Sequence, residues 1–290
     1  MEIANTMHMN CRIIVCCHKD DVKVCQEPYL PVHVGRALSK QDLGLVGDDT
    51  GDNISSKNKN YCELTGMYWA WKNLKDTDII GLCHYRRYFD FHNQCQPILP
   101  YTKFPTKDID KLDFSIPQDI LEAVSKGKVV APRVMNNVGS LYDEYCICHY
   151  SEDLRTLEAI VKEQSAPAYI AAFDKVMHLS HKPLCYNMFI MDWNSFDKYC
   201  SWLFNILEEV ERRIDISRYS PVQQRIFGYM AERLFNVFVV AEQKTIIHKP
   251  LLFIMDEKQG SKLNYFLKSL LNNLSFFLST LYLRFSKSGQ

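Results

Sequence analysis

The chain has 290 residues, of which 47% are apolar, with only 11 Gly and 11 Pro. This composition is typical of a globular protein with a sizeable core, and it excludes fibrous, collagen-like and disordered chains. The 34 basic residues balance the 34 acidic residues, so the formal net charge is zero. A protein dedicated to nucleic acid usually carries a net positive charge, and we therefore expect no nucleic-acid partner.

Strands and helices are predicted to alternate along the chain. Short apolar runs predict buried strands, and apolar residues that recur every three or four positions predict helices. The predicted strands are residues 12–17, 78–83, 128–132 and 187–192, and the predicted helices are residues 61–74, 151–164, 195–213 and 221–241. Ser151 is expected to cap the second helix, and Pro221 to open the fourth. The alternation predicts an α/β fold with a mostly parallel central sheet.

The end of the chain has a different composition. After Glu257 there is no acidic residue but there are five basic ones, Lys258, Lys262, Lys268, Arg284 and Lys287. The stretch without Lys or Arg between them, residues 269–283, has 15 residues, which is short for a transmembrane span. Leu, Phe and Tyr at helical spacing predict an amphipathic helix in the interface of an anionic membrane, and a helix packed on the protein's own core is the alternative. The predicted division is a flexible N-terminus (1–10), an α/β domain (11–250) and this tail (251–290).

The 11 cysteines are odd in number, lie mostly in apolar runs and include no Cys-x-x-Cys pair. This spacing argues against zinc ribbons and thioredoxin-like redox centres. Buried free thiols are typical of a reducing compartment, and residues 1–10 show no signal-peptide pattern. We therefore expect free thiols and a cytoplasmic protein.

Polar residues follow two of the predicted strands, whereas the common nucleotide and hydrolase motifs are absent from the sequence. There is no Gly-x-Gly-x-x-Gly after the first strand, no P-loop, no Gly-x-Ser-x-Gly and no His-Glu-x-x-His. Instead, His18 and Lys19 follow the first strand, and His84, Arg86 and Arg87 follow the second. Ligands of α/β folds bind at the carboxyl ends of strands, and arginine presents a planar fork to phosphate oxygens. The pattern predicts an anion site; surface ion pairs of the two arginines are the alternative.

A polar loop, residues 48–60, precedes the helix that is predicted to begin at Tyr61. Asp49 and Asn53 are suited to contact sugar hydroxyls, and Lys57 is suited to meet a phosphate. A solvated loop is the simpler interpretation of this composition.

Three segments carry a family resemblance. They are NISSKNKNYCELT at residues 53–65, YWAWKN at residues 68–73 and IGLCHYRRYF at residues 80–89, with further matches at residues 187–191, 199–204 and 225–234. Over about residues 11–245 the chain closely resembles the bacterial capsular and exopolysaccharide biosynthesis glycosyltransferases. That family was long known as a domain of unknown function, and some of its members resemble galactofuranosyltransferases. The tail lies outside the resemblance.

The resemblance implies a GT-A-like nucleotide-sugar-binding fold. It further implies transfer of a sugar, with galactofuranose as the candidate, from a UDP-sugar donor to a lipid-linked oligosaccharide acceptor. The site is then expected on the inner face of the cytoplasmic membrane, with peripheral contact through the tail. The expected donor contacts are His18, Lys19, Asp49, Asn53, Lys57, Tyr61, His84, Arg86 and Arg87, with Asn187 at the acceptor or the sugar.

The resemblance also raises the question of a metal ion. Many GT-A enzymes hold a divalent cation with Asp-x-Asp after a central strand, but here His84 and Arg86 stand at that place. The Asp-x-Asp matches at residues 76–78 and 108–110 do not follow an apolar strand. We therefore expect arginines to neutralise the diphosphate and no metal cofactor, with Asp90 and His92 as an alternative metal pair.

An inverting transfer needs a carboxylate that accepts the proton of the acceptor hydroxyl. Glu232, beside a helix face that is predicted to be buried, and Asp192, at a strand end, are the candidate catalytic residues. An ion pair of Glu232 with Arg225 or Arg233 is the alternative role. Two other functions stay open: a non-catalytic sugar-nucleotide-binding or scaffold subunit of a polysaccharide assembly complex, and a retaining hexosyltransferase.

Overall fold

The structure is a computed structural model that describes residues 9–96, 99–135, 137, 139–257 and ten positions between 263 and 281. Most of the N-terminal segment that was predicted to be flexible, residues 1–8, lies outside this set. The strands are β1 (Cys11–Cys17), β2 (Tyr29–His33), β3 (Val46–Gly47), β4 (Ile79–His84), β5 (Arg87–Phe89), β6 (Tyr101–Phe104), β7 (Val129–Pro132), β8 (Phe189–Asp192), β9 (Ile246–Lys249) and β10 (Leu251–Ile254). The helices are α1 (Asn58–Tyr61), α2 (Leu64–Asn73), α3 (Gln118–Ser125), α4 (Leu141–Cys148), α5 (Ser151–Gln164), α6 (Pro167–Asp174), α7 (Trp193–Arg213) and α8 (Ile226–Ala241).

The central sheet has β1 in its middle. Its strands run in the order β3-β2-β1-β4-β5-β10-β6, and β1 pairs in parallel with both β2 and β4. On the far edge of β4, β8 pairs antiparallel with Ile79–Leu82, and β5 pairs at His84. β7 and β9 extend the sheet beyond β8. The parallel core with α-helices between the strands confirms the predicted α/β class.

Side chains of the central strands alternate between two hydrophobic clusters. In β1, Ile14 and Cys16 join the cluster that contains α2, α5, α7 and α8, whereas Ile13, Val15 and Cys17 join the cluster on the opposite face. A strand covered on both faces needs apolar residues at every position, because consecutive side chains point to opposite sides. This is why a continuous apolar run marked β1 in the sequence.

Gly81 lets the middle strands approach closely. A Cβ at this position would stand 2.6 Å from Ile13 Cδ1 and 3.0 Å from Ile190 Cγ1. Any larger residue would therefore push apart the side chains of two neighbouring strands in a close-packed core.

All eight predicted elements are present, with four differences at the helices, one of which is that α7 begins at Trp193 rather than at residue 195. The first predicted helix is divided into α1 and α2 by Cys62, whose φ is 53°. The last predicted helix begins only at Ile226, after a 3-10 turn at Gln223–Arg225, so Pro221 does not open it. Ser151 is the first residue of α5 rather than its cap, which is Tyr150.

The sheet extends beyond the boundary predicted at residue 250. β10 pairs antiparallel with β5 and parallel with β6, and all four of its side chains are buried. A compositionally distinct tail therefore begins only after this strand. Within the described part of the chain, no helix is long and apolar enough to span a bilayer.

Candidate active site

A cleft of about 530 Å³ opens at the carboxyl ends of β1 and β4. This is the edge where α/β sheets bind ligands, and the volume is within the range of small-molecule sites. It is lined by residues at and after the ends of β1 and β4, by the turn between α1 and α2, by residues at the start of α8 and by Tyr186. Its charged lining residues are the cations Lys59, Arg86, Arg87 and Arg225 and the carboxylates Glu63 and Glu232, beside His18 and His84.

His84 and Arg87 are fixed by a tight hairpin. They are paired residues of β4 and β5, and Tyr85 and Arg86 form the turn between them. His84 Nε2 lies 2.8 Å from the carbonyl oxygen of Tyr186. Because burial lowers the pKa of His84, with Arg87 acting in the same direction, the ring is neutral near pH 7 and donates through Nε2. His84 therefore orients the Tyr186 turn rather than adding charge to the cleft.

The three arginines of the cleft differ in their partners. Arg86 Nη2 is 2.5 Å from Asp21 Oδ2, so part of its donor fork is already used. The Arg87 guanidinium lies over the rings of Tyr186 and Phe253, at 4.8 and 5.3 Å from their centroids. Neither Arg87 nor Arg225 has a carboxylate within 4.0 Å among the described residues.

Arg225 contacts a thiol instead of an acid. Its Nε donates to Cys62 Sγ at 3.3 Å, and its guanidinium lies 5.7 Å from the Tyr229 ring centroid. His18, also in the cleft, has a pKa lowered by burial and by Lys19, His84, Arg225 and Arg86. The electrostatic environment at His18 is therefore positive, which favours an anionic ligand.

Glu232 is a carboxylate in the wall of the cleft. Its Oε1 accepts a hydrogen bond of 2.9 Å from the backbone N–H of Tyr186, and its Oε2 lies 3.3 Å from Arg233 Nη1. Burial is the main cause that raises its pKa, and the negative charge of Glu63 adds to this, against the lowering effect of Arg233. Arg233 also pairs with Glu144. Glu232 thus contacts Arg233, as the ion-pair alternative predicted, and it also lines the cleft. Its role as the proton acceptor stays a prediction.

Five of the residues predicted for the site come together here: His18, His84, Arg86, Arg87 and Glu232. Lys19 stands at the edge, 3.7 Å from Asp21 and 5.9 Å from the Tyr85 ring centroid. The others lie outside the lining and remain predictions as ligand contacts.

The predicted residues of the polar loop bind the protein itself. Lys57 Nζ and the Tyr61 hydroxyl both contact Glu211 Oε2 of α7, at 2.7 and 3.0 Å. Asn53 Oδ1 accepts from the N–H of Ser55, and Asp49 is exposed. The loop therefore has a defined fold rather than only a solvated surface.

Asp192 and Asn187 also have protein partners. Asp192 caps α7 by accepting the N–H and the hydroxyl of Ser195, at 2.9 and 2.5 Å, and it does not face the cleft. Asn187 is buried behind the cleft and donates to Glu63 Oε1 at 2.7 Å.

Glu63, Arg225 and Tyr186 line the cleft although none of them was predicted as a ligand contact from the sequence. Glu63 and Arg225 lie within segments that carry the family resemblance. Their place in these segments is the signal that could have identified them, because their residue types alone did not distinguish them from other charged residues. Tyr186 directly precedes another such segment. Its φ of 76° depends on the tertiary fold and is not visible in the sequence.

Asp90 and His92, the alternative metal pair, both have partners within the protein. Asp90 accepts backbone N–H groups of His92 and Cys95, and these bonds lower its pKa against the opposing effect of burial. Its oxygens are thus occupied, and His92 faces Ser115. Among the described residues, one group of three potential ligands converges within 4.8 Å, on the surface, at Glu158, Asp174 and His178. Lys162 already contacts both of its carboxylates. The residues of the cleft form no such group.

The buried cysteines agree with the prediction of free thiols. Cys16, Cys17, Cys83, Cys95 and Cys200 are free and buried. Burial raises the pKa of Cys17 to about 12, which makes this thiol unreactive near neutral pH.

An α/β sheet with a cleft at the carboxyl ends of its central strands has the architecture of the α/β proteins that bind small ligands at this edge. The chain belongs to the family described as "Domain of unknown function (DUF4422)", whose model matches residues 12–244. This match confirms the resemblance predicted from the sequence.

A solved structure supplies the chemical context. The chain is similar to WbbM, described as a bifunctional glycosyltransferase in its apo form, with 30% sequence identity and a TM-score of 0.77. The match covers 87% of this chain but 47% of WbbM, so the chain spans about half the length of that protein. No curated protein matches the sequence. The fold is therefore that of a region of a glycosyltransferase.

Proposed function

We propose that the protein is a glycosyltransferase that moves a sugar from a nucleoside diphosphate donor to a hydroxyl group of a glycan. One observation carries the proposal: the cleft at the ends of β1 and β4 is lined both by Arg87 and Arg225, which have no carboxylate within 4.0 Å among the described residues, and by the carboxylates of Glu63 and Glu232. The similarity to a bifunctional glycosyltransferase supports it. Following the family resemblance, we propose UDP as the nucleotide and galactofuranose as the candidate sugar.

Arg87 and Arg225 are proposed to bind the diphosphate, with Arg86 at its edge. A guanidinium stays charged at any working pH and offers two parallel donors to phosphate oxygens. Negative charge grows on the diphosphate as the bond between the anomeric carbon and the phosphate oxygen breaks. Fixed cations at that place stabilise the transition state without a metal ion.

Glu232 is our candidate for the proton acceptor. The acceptor hydroxyl oxygen bonds to the anomeric carbon, the diphosphate leaves with the electron pair of the broken bond, and the hydroxyl proton passes to the carboxylate. The raised pKa of Glu232 makes it a stronger base than an exposed glutamate. When Glu232 takes up the proton, Arg233 keeps Glu144 as its partner, so no buried charge is left alone.

The tail is proposed to bind the surface of an anionic membrane. Its described residues are helical, and the side chains of Leu263, Phe266, Leu267, Leu270, Leu271, Leu274, Phe277 and Leu278 are 44–65% exposed. Their spacing of three and four residues places them on one side of a helix. The five basic residues after Glu257 favour anionic lipid. This placement would bring the cleft to a lipid-linked oligosaccharide acceptor on the cytoplasmic face.

Vesicle flotation tests the tail. The full chain should float with vesicles of phosphatidylglycerol and phosphatidylcholine and lose this property at high salt, whereas a chain without residues 260–290 should stay in solution and keep nucleotide binding. Aggregation of the truncated chain, or loss of its UDP binding, would show that the tail packs on the domain instead.

The central test is a screen of nucleotide sugars. A ligand that binds only the folded state raises the melting temperature by mass action, so the preferred donor should give the largest shift. Release of UDP in the presence of a lipid-linked acceptor should then follow for the same donor. A protein that binds a donor but never releases UDP would instead be the non-catalytic subunit, and the anomeric configuration of the product distinguishes an inverting from a retaining transferase.

A further inference from the structure

Glu63 is a second carboxylate of the cleft and has no role in the proposal above. It directly precedes α2, at the point where Cys62, whose φ is positive, divides the two helices. The N–H of Cys62 donates to the carbonyl of Asn58, and Asn58 Nδ2 donates to the carbonyl of Cys62, at 2.8 Å each. This turn ends α1. Glu63, which follows it, lines the cleft with a half-buried side chain.

A buried amide holds one oxygen of Glu63. Asn187 is only 3% exposed, and its Nδ2 donates to Glu63 Oε1 at 2.7 Å and to the carbonyl of Gly228 at 3.1 Å. Its Oδ1 is buried without a hydrogen-bond partner among the described residues. Both Asn187 and Tyr186 have positive φ, 49° and 76°. An unsatisfied buried oxygen and two left-handed residues in succession are each unfavourable, and such costs concentrate at functional sites.

The other oxygen of Glu63, Oε2, has no hydrogen-bond partner in the described part of the chain, so it is available to a ligand. An ionised carboxylate only accepts hydrogen bonds, which suits a hydroxyl group and disfavours a phosphate. Glu63 lines the same cleft as Arg87 and Arg225 without pairing with either guanidinium within 4.0 Å. The acceptor-only carboxylate and the two arginines therefore share one cleft, as the sugar and the diphosphate of a nucleotide sugar share one ligand.

We propose that Glu63 binds a hydroxyl group of the sugar that is transferred and thereby determines which sugar nucleotide is used, with Asn187 as the residue that positions it. The inference rests on the proposed function, because it assumes a nucleoside diphosphate donor. It also fixes the orientation of that donor: the diphosphate faces the arginines, and the sugar faces Glu63 and Glu232.

The test compares UDP, UDP-hexoses and donors that lack one hydroxyl each, by calorimetry and by kcat/KM for transfer. For the wild-type protein, removal of the contacted hydroxyl should lower kcat/KM by about 10- to 150-fold, the usual effect of a hydrogen bond to a charged group. Glu63→Gln should lose most of this discrimination, while its affinity for UDP alone stays unchanged or rises, because a negative charge is removed. Glu122→Gln, an exposed position of α3 outside the cleft, is the matched control.

Asn187→Asp provides an independent variant, since a second carboxylate against Glu63 Oε1 should displace Glu63 and cause the same loss of discrimination. This variant and the wild-type donor series decide the question if Glu63→Gln does not fold. An unchanged preference across the deoxy donors in a folded Glu63 or Asn187 variant, or a wild-type protein indifferent to every single hydroxyl, would overturn the inference alone. A wild-type protein that binds neither UDP nor any UDP-sugar would overturn the proposed function.

Discussion

Arg87 offers the sharpest test of the anion site, because its guanidinium is held in place without an acidic partner. It lies over the rings of Tyr186 and Phe253, at 4.8 and 5.3 Å from their centroids, and no carboxylate of the described chain is within 4.0 Å. Arg86, one residue away, is paired with Asp21. The two adjacent arginines thus form a natural comparison: the same side chain, on the same hairpin, with and without a protein partner.

The expected effect of Arg87→Ala follows from the hydrogen bonds lost. Hydrogen bonds to a charged group are worth about 1.5–3 kcal/mol, which corresponds to a weakening of UDP binding by about 10- to 150-fold. Arg86→Ala should weaken binding less, because part of its fork already serves Asp21, which would retain Lys19 at 3.7 Å. Arg87→Lys should recover only part of the affinity, since an ammonium lacks the planar fork.

Calorimetric titration with UDP measures these affinities, and a melting curve for each variant shows that it is folded. Loss of the two ring contacts of Arg87 costs about 1 kcal/mol of stability or somewhat more, so the folded state should persist. Arg12→Ala, which removes an exposed pair with Glu27, is the control and should bind UDP normally. If Arg87→Ala binds UDP as the wild type does, the anion site is not at this hairpin and the reasoning from free guanidinium groups fails.

Three further predictions address the base, the metal and the fold. Glu232→Gln should bind UDP-sugar normally but transfer the sugar about 100-fold more slowly or worse, and near-normal turnover would exclude Glu232 as the base. Because burial raises the pKa of Glu232, kcat/KM should fall as the pH is lowered through a value above the ordinary glutamate pKa of about 4.3, and a profile that falls only below this value would contradict the assignment. Because folding raises the pKa of Glu232, the free energy of unfolding decreases as the pH rises through the pKa of the folded state. The Gln variant cannot ionise, so its melting temperature at neutral pH should be no lower than that of the wild type. Transfer should persist in excess EDTA, and a complete loss restored by manganese or magnesium would reveal a metal site. Asp48→Ala should destabilise the fold by about 2–4 kcal/mol, because it leaves the backbone N–H groups of Gly35 and Arg36 and the hydroxyl of Ser55 without their acceptor; an unchanged unfolding free energy in urea would refute this accounting.

The sequence by itself determined the strands and helices that build the centre of the domain. β1, β4 and β8 are covered on both faces or nearly so, and therefore consist of continuous apolar runs that are visible without a structure. The same local reasoning located His84 and the two arginines, because a polar group directly after a buried strand must emerge at its carboxyl end. It did not identify β10, since four apolar residues next to a basic tail read equally well as the start of that tail.

The tertiary structure decided which polar residues share the cleft. Glu63 and Asn187 are 124 residues apart in sequence and meet only because α2 and the turn before β8 pack against the same end of the sheet. Lys57 and Tyr61 turn to Glu211 of α7, a partner 150 or more residues away, although their local sequence suggested a ligand contact. Local patterns report which face of a strand or helix is buried, because burial follows the period of the element. Which charged side chain finds a protein partner, and which one stays free for a ligand, depends on distant segments that only the folded chain brings within hydrogen-bond distance.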